Sequence, residues 1–236
     1  MKSIDTILDP TDMEISRTPR ELCDWVDSRA SLLSETDEGK NYARSGARLP
    51  KKLWEEIRPL GLFALRSFGP EKGIKCTPNL TNDNYDGKID FDDPVIPSIY
   101  IEITYAKDGE DERLRLGVLN AKGSVNALGR ISKSGTKASG RQIVAIENEA
   151  VKHEEVRSKA LELVKERILK KRGKTYGPNH VLVIVIDDYL PFRTDDDKAV
   201  LVEFVKPIIE SLKLDIKAAF LLGSSGNYLS CIYGEI

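Results

Sequence analysis

An unbroken aliphatic run, Val181–Ile186, is the feature that most constrains how this chain can fold. Every residue in it is Val, Leu or Ile, and a strand with no polar position is typical of one buried on both faces. Strands of that kind lie at the centre of a sheet that has helices on both sides. The run therefore predicts an α/β fold, and it is far too short to span a bilayer.

Helical signals on both sides of this run supply the covering layers. Thr18 and Pro19 mark a helix start, with Glu21 three residues after the cap. The predicted helices cover about 18–33, 50–68 with a kink or end at Pro59, 150–172, and 195–214. Residues 1–17 are predicted to be a loose leader, and the polar stretch 34–48 a loop.

Alternating or apolar runs predict the remaining strands. They cover about 73–80, 85–91 and 98–105, and then 218–222 and 228–233, the last two joined by a tight turn. This order predicts one mixed sheet with helices on its faces. The chain has 236 residues, which is within the size of one domain. We predict a single domain over 1–236, with a leader and helix at 1–48, a core at 50–236 and an insertion at 107–149.

Composition excludes several classes of protein. The net charge of −2 excludes a generally basic, histone-like binder, although it allows a local basic patch. The 3 cysteines are far apart and have neither disulfide-framework nor zinc-site spacing. The N-terminal stretch has no apolar signal core, so a cytoplasmic protein with no membrane association is expected.

Acidic residues on two neighbouring predicted strands are the main candidate for chemistry. Asp86 and Asp90 share one face of the first strand, and Glu102 lies on the polar face of the next. If the strands pair, an Asp carboxylate and Glu102 point into the same space. Neighbouring carboxylates repel each other unless a positive charge lies between them. Mg²⁺ or Mn²⁺ would fit, because it accepts one or two carboxylates and keeps positions open for water and a phosphate.

The segments Tyr85–Ile89 and Tyr100–Thr104 (YDGKI and YIEIT) resemble the core of the PD-(D/E)XK nuclease superfamily. The order of elements from about 50 to 187 is similar to that family as well. The resemblance implies a restriction-endonuclease-like fold with Asp86, or Asp90 as the fallback, and Glu102 as metal ligands. It also implies an assisting helical acid, which would be Glu56 or Glu55.

The chain departs from the family pattern at Thr104, where the family has a lysine. Threonine cannot supply that positive charge. Either a lysine from elsewhere replaces it, with Lys152 and Lys159 on the long predicted helix as candidates, or the domain is inactive. His153, at the start of the same helix, is a candidate general base or phosphate contact.

The predicted insertion is basic and rich in Gly and Ser. From 113 to 141 it contains no Asp or Glu, and its charged residues are Arg113, Arg115, Lys122, Arg130, Lys133, Lys137 and Arg141. Such a flap suits contact with a phosphate backbone. The acidic stretch Asp108–Glu112 just before it could instead pair with the flap internally.

Together these features predict a metal-dependent endonuclease that hydrolyses phosphodiesters in nucleic acid, with DNA favoured over RNA. The resemblance suggests bacterial or phage defence as a setting, and a homodimer as a possible assembly. The first alternative is an inactive protein of the same fold that binds nucleic acid or takes part in an assembly. The second is an interaction protein of unrelated α/β fold, in which Asp86 and Glu102 are ordinary surface acids.

Overall fold

A computed structural model describes residues 4–70, 73–81, 83–126, 131–134, 143–146 and 151–236. The helices are α1 (Ile4–Ile7), α2 (Pro10–Met13), α3 (Pro19–Ser34), α4 (Asp37–Arg44), α5 (Arg48–Lys52), α6 (Arg58–Phe68), α7 (Gly109–Lys122), α8 (His153–Leu169) and α9 (Asp195–Leu212). The strands are β1 (Ile74–Pro78), β2 (Gly87–Phe91), β3 (Ile99–Tyr105), β4 (Ile131–Ser134), β5 (Ile143–Ile146), β6 (His180–Ile186), β7 (Ala218–Gly223) and β8 (Leu229–Gly234).

The predicted α/β class with one mixed sheet and flanking helices is confirmed. The sheet has 6 strands in the order β1-β2-β3-β6-β7-β8. Strand β6 runs parallel to both β3 and β7, and the outer pairs are antiparallel. Strands β4 and β5 form a separate antiparallel hairpin. The aliphatic run thus occupies the middle of the sheet, as its composition predicts.

Burial on both faces of β6 explains its lack of polar residues. Val181, Val183 and Val185 belong to a core that also contains residues of α3 and α6. The alternate residues, Leu182, Ile184 and Ile186, belong to a second core with residues of α8 and α9. A strand that contributes to two cores has no face on which water could solvate a polar side chain.

The helix start at Thr18 is confirmed in detail. The Thr18 side chain accepts from the N–H of Glu21, and the Glu21 carboxylate accepts from the N–H of Thr18, which is a capping box. The predicted strands 73–80, 85–91 and 98–105 correspond to β1, β2 and β3. The helix with the internal proline Pro207 and the C-terminal strand pair are confirmed as well.

Two segments predicted to be irregular are helical, so those predictions were wrong. The leader 1–17 contains α1 and α2, and its Leu8 and Met13 are buried in the core. The polar stretch 34–48 contains α4, where the Thr36 side chain accepts from the N–H of Gly39. All three helices are short, and short helices depend on tertiary contacts more than on a periodic sequence.

Pro59 does not end its helix. A π-helical turn, Leu53–Ile57, joins α5 to α6, and the N–H of Arg58 donates to the carbonyl of Leu53. Helical backbone therefore continues from Arg48 to Phe68 across Pro59. Such widened turns occur frequently at functional sites.

The insertion is more regular than a loop. Residues 109–122, which include Arg113, Arg115 and Lys122, form α7. The prediction of a flap over all of 113–141 is therefore wrong for residues 113–122. Asp108 caps the helix, and three acids occupy its first turn, where they complement the helix dipole. The acidic stretch is thus the start of a helix. The hairpin β4–β5 follows it.

Candidate functional site

The position of Asp86 follows from where β2 begins. The N–H of Asp86 donates to the carbonyl of Ile101 at 2.8 Å, but regular pairing with β3 begins only at Gly87. The Asp86 Oδ2 instead accepts from the N–H of Ile103 at 2.7 Å. The Ile103 N–H lies beyond the part of β3 that pairs with β2, and it donates to the Asp86 carboxylate instead. This hydrogen bond holds Asp86 beside the middle of β3.

Gly87 allows α6 to pack closely on this point. A Cβ atom at Gly87 would lie 2.4 Å from the Cδ2 of Leu60, which no real Cβ contact tolerates. Only glycine therefore lets Leu60 and β2 approach this closely. The approach brings the helical segment that carries Glu56 next to Asp86.

Glu56 and Asp86 share a buried environment. Burial is the main cause that raises the pKa of Glu56 to about 7, followed by the charge of Asp86, and the ion pair with Lys52 opposes the rise. Burial also raises the pKa of Asp86, with the Glu102 charge adding to the rise and the Ile103 N–H opposing it. The two carboxyl groups therefore influence each other's ionisation. The raised pKa values favour the protonated forms of these two half-buried carboxyl groups.

Glu102 is held by two lysines. It lies within β3 with 7% of its surface exposed, and its Oε1 accepts from Lys171 Nζ at 2.7 Å and Lys174 Nζ at 3.2 Å. Lys171 is itself only 8% exposed. Both lysines follow α8, on either side of the turn at Gly173, whose φ is 75°. A buried ammonium thus lies against the carboxylate two residues before Thr104.

A cleft opens where β3 ends. Its volume is about 760 Å³, and its walls include Glu56 and Thr104. Five basic residues also line it: Arg44, Lys51, Lys107, Arg113 and Arg167. The acids Glu55 and Glu112 offset part of this charge. Four elements contribute the basic residues together with the segment after β3, so the cleft exists only in the folded chain.

Asp90 lies away from the acidic group. Its Oδ1 pairs with Lys88 Nζ at 2.6 Å and accepts from Ser98 Oγ at 2.5 Å. These contacts lower the pKa of Asp90, in contrast to that of Asp86. Four residues of extended strand, about 13 Å, separate it from Asp86. Of the two aspartates, it is therefore Asp86 that lies beside Glu56.

The three candidates on the long helix lie elsewhere. Lys152 precedes α8 and His153 begins it, whereas the lysines that contact Glu102 follow its other end, about 25 Å along a helix of 17 residues. His153 Nε2 lies 3.0 Å from Asp197 Oδ1. Lys159 Nζ pairs with Asp111 at 3.3 Å. None of the three contacts Glu102 in the described structure.

The predicted nucleic-acid contacts lie in α7, in β4 or outside the described residues. Arg113 lines the cleft, and Lys122 is exposed at the end of α7. Arg115 donates to the carbonyl of Asn126 at 2.6 Å, which closes the segment after α7. The backbone of Lys133 lies in β4. Outside the described residues are Arg130, Lys137 and Arg141.

Lys171 and Lys174 were not predicted as site residues. The run Lys170–Arg172 is typical of a helix C-terminus, and Gly173-Lys174-Thr175 lacks the spacing of a phosphate-binding loop. No local pattern marks a lysine that pairs with a glutamate 69 residues away. The cluster of three lysines around a glycine was the only available signal.

Within the described ranges, no set of three or more His, Cys, Asp or Glu side chains is arranged to hold a metal ion. None of the helices in the described part of the chain is both long and apolar enough to cross a membrane. Comparison of the chain with models of known families, with curated proteins and with solved structures finds no match.

Proposed function

We propose that this chain is a metal-dependent nuclease with a restriction-endonuclease-like fold, which hydrolyses phosphodiesters in DNA. The observation that carries the proposal is the contact of 2.7 Å between Lys171 Nζ and Glu102 Oε1. In the proposal, this contact would supply, from outside β3, the positive charge that Thr104 cannot supply. The element order and the positions of Asp86, Glu102 and Glu56 support the same proposal.

The carboxylate oxygens are of the chemical type that Mg²⁺ or Mn²⁺ prefers, but the three acids are not arranged as a metal site within the described ranges, so binding would require them to converge. Asp86 and Glu102 would hold the ion and Glu56 would assist, since hard cations prefer carboxylate oxygens and Mg²⁺ needs only one or two of them. Burial and neighbouring acids raise the pKa values of Glu56 and Asp86 in spite of the nearby Lys52, and a bound cation would oppose that rise. When bound, the ion would lower the pKa of a coordinated water and stabilise the phosphoryl transition state.

The chain's own residues would stabilise charge, transfer a proton and bind the flanking phosphates. The buried ammonium of Lys171 would face negative charge that develops beside Glu102, and burial strengthens such an interaction. Glu56, with a pKa of about 7, can exchange a proton near neutral pH, as general acid–base catalysis requires. The basic cleft residues, Arg113 among them, would hold the flanking phosphates.

Cleavage assays test the proposal directly. A plasmid and a circular single-stranded DNA are incubated with Mg²⁺ or Mn²⁺ and each protein variant. Asp86→Asn, Glu102→Gln and Lys171→Met should each lower the rate by roughly a hundredfold or more. Asp90→Asn is the matched control, because it removes a carboxylate from the same strand outside the acidic group, and it should cleave like wild type. Cleavage that persists in Glu102→Gln would refute the proposal.

An inactive protein of the same fold is the second candidate. The same ion pair favours it, because Lys171 and Lys174 already neutralise Glu102 without a metal. Thermal unfolding separates the two. A nuclease should gain Tm on addition of Mg²⁺ or Mn²⁺, and Asp86→Asn should remove the gain. No cleavage and no gain in Tm would favour the inactive protein.

A further inference from the structure

A row of aromatic rings lies beside Glu102. The ring centroids of Tyr85 and Tyr100 are 4.9 Å apart, and Tyr100 stacks on His180 at 5.1 Å with 24° between the planes. Tyr176 follows at 5.8 Å from His180. We define these four residues as the aromatic row. Three different segments of the chain contribute to it, so folding is what assembles it.

The row and Glu102 belong to the same face of the sheet. Tyr100 and Glu102 are two positions apart on β3, and side chains at that spacing point the same way. His180 is the direct partner of Tyr100 on β6. Burial and then the charges of Glu102 and Asp86 raise the pKa of Tyr176.

The rings are not explained by core packing. Tyr85, Tyr100 and His180 are only half-buried, and of the described residues that form the two hydrophobic cores, none of these three is a member. Tyr176 belongs to the second core, and its hydroxyl oxygen is buried without a well-formed hydrogen bond. Lys174 Nζ lies 5.9 Å from the centre of the Tyr176 ring, which adds a positive charge at this end of the row.

The basic cleft lies in the other direction along β3. Tyr100 stands near the start of the strand, and Thr104 in the cleft wall is four residues later, or about 13 Å. Glu102 lies between them. A strand laid along β3 would therefore meet aromatic rings near the start of β3 and cationic side chains near its end, with Glu102 and its two lysines between them.

This combination is typical of surfaces that bind single-stranded nucleic acid, where bases stack on aromatic rings and phosphates follow a positive groove. Bases in a duplex are already stacked and cannot offer their faces. The cleft volume of about 760 Å³ is that of a small-ligand pocket, which suits about one or two nucleotides rather than a duplex.

We propose that this site takes single-stranded nucleic acid, or the unpaired end of a duplex, with bases against the aromatic row and phosphates in the basic cleft. The inference rests on the proposed function, because it takes Glu102 as the centre of cleavage. It narrows the substrate from nucleic acid in general to an unpaired strand.

Binding without metal tests the inference apart from cleavage. Fluorescence anisotropy in EDTA compares labelled oligothymidylate of about 12 nucleotides with an abasic oligomer of equal length and with a duplex. Wild type should bind oligothymidylate more tightly than either of the others. An oligouridylate of the same length shows whether DNA or RNA is preferred.

Variants then assign the binding to the row. Tyr100→Leu should weaken oligothymidylate binding roughly tenfold and leave abasic binding unchanged. Tyr100→Phe keeps the ring and should bind like wild type, which guards against a folding defect in the leucine variant. Tyr189→Leu is the matched control, because Tyr189 is 64% exposed and outside the row, and it should bind like wild type.

The two proposals fail in different ways. Equal affinity of wild type for the oligothymidylate, the abasic oligomer and the duplex would overturn the inference, even if Asp86-dependent cleavage is observed. A loss in Tyr100→Leu that is equal for the first two ligands would overturn it too. Base-dependent binding without any cleavage would support the inference for binding and refute the nuclease.

Discussion

Asp197 and the Glu56–Asp86 pair are both acids withdrawn from water, but their surroundings differ. Asp197, at 3% exposure, accepts from Arg157 and from the side chain and N–H of Thr194, and His153 lies 3.0 Å away. These contacts, first that with Thr194, lower the pKa of Asp197. Glu56 and Asp86 have raised pKa values because burial dominates, with the charge of Asp86 adding to the rise at Glu56 and that of Glu102 to the rise at Asp86.

The difference separates a carboxylate that stabilises a fold from carboxylates that are available to a ligand. Asp197 is the third residue of α9 and closes a capping box with Thr194, so its hydrogen bonds join the starts of α8 and α9. At the Glu56–Asp86 pair, the Lys52 ion pair and the Ile103 N–H do not offset burial, so both pKa values stay raised and an added cation would lower them. Perturbed acids of the second kind concentrate at functional sites, and they usually lower stability.

The largest expected change in the free energy of unfolding follows substitution of Asp197. Asp197→Ala should lower the free energy of unfolding by about 2–3 kcal/mol, because it removes a helix cap and leaves Arg157 unpaired. Urea denaturation measures the change. Asp195→Ala is the matched control, since that side chain is fully exposed at 100% in the same helical turn. A loss below that of the control would show that Asp197 is not a structural anchor.

A gain in the free energy of unfolding is expected when an acid of the Glu56–Asp86 pair is neutralised. Without metal at pH 8, Glu56→Gln should raise the free energy of unfolding by about 1–2 kcal/mol, a value reduced for partial solvent screening. A pKa raised from 4.5 to about 7 means that wild type loses stability as pH rises between these values. The advantage of the variant should thus be absent below pH 4.5, grow up to about pH 7 and then level off.

Thermal unfolding from pH 4 to 9 in EDTA measures this profile. Glu55→Gln is the control, because Glu55 lies in the same helical turn and pairs with Lys107 at 3.2 Å. It should show no such gain. A Glu56→Gln variant that is less stable than wild type at pH 8 would show that the acid pair is not strained.

The smallest effect is expected at His153. His153→Ala should cost about 0.5–1 kcal/mol, because Asp197 keeps its contacts with Thr194 and Arg157. In the Asp197→Ala background the same change should cost nothing further, which a double-mutant cycle measures. It should leave DNA cleavage unchanged, whereas a site role for His153 would make cleavage fall.

Much of the sheet was predictable from local pattern. The aliphatic composition of β6 and the alternation in β3 depend on one strand at a time, and both are confirmed. The predictions that were wrong, at 1–17, 34–48 and part of the insertion, concern helices that a short or polar sequence does not mark. Their stability comes from contacts such as those of buried Leu8 and Met13.

The acids of the site were partly predictable as well. Asp86 directly precedes β2, which pairs with the strand that carries Glu102, so sequence alone could place the two acids near each other. The choice between Glu55 and Glu56 could not be made locally, because a π-helical turn changes which side chain faces the sheet. In the structure, Glu56 interacts with Asp86, whereas Glu55 forms ion pairs with Lys51 and Lys107.

By itself, the sequence determined the α/β class, the central strand and the pair of strands that carry Asp86 and Glu102. Those features follow from periodicities of two and 3.6 residues, which are local properties of the chain. Only the tertiary structure decided that Lys171 is the buried partner of Glu102, 69 residues away, and that four rings line up beside it. Side chains far apart in sequence leave no periodic signal, because packing brings them together only after the elements have formed.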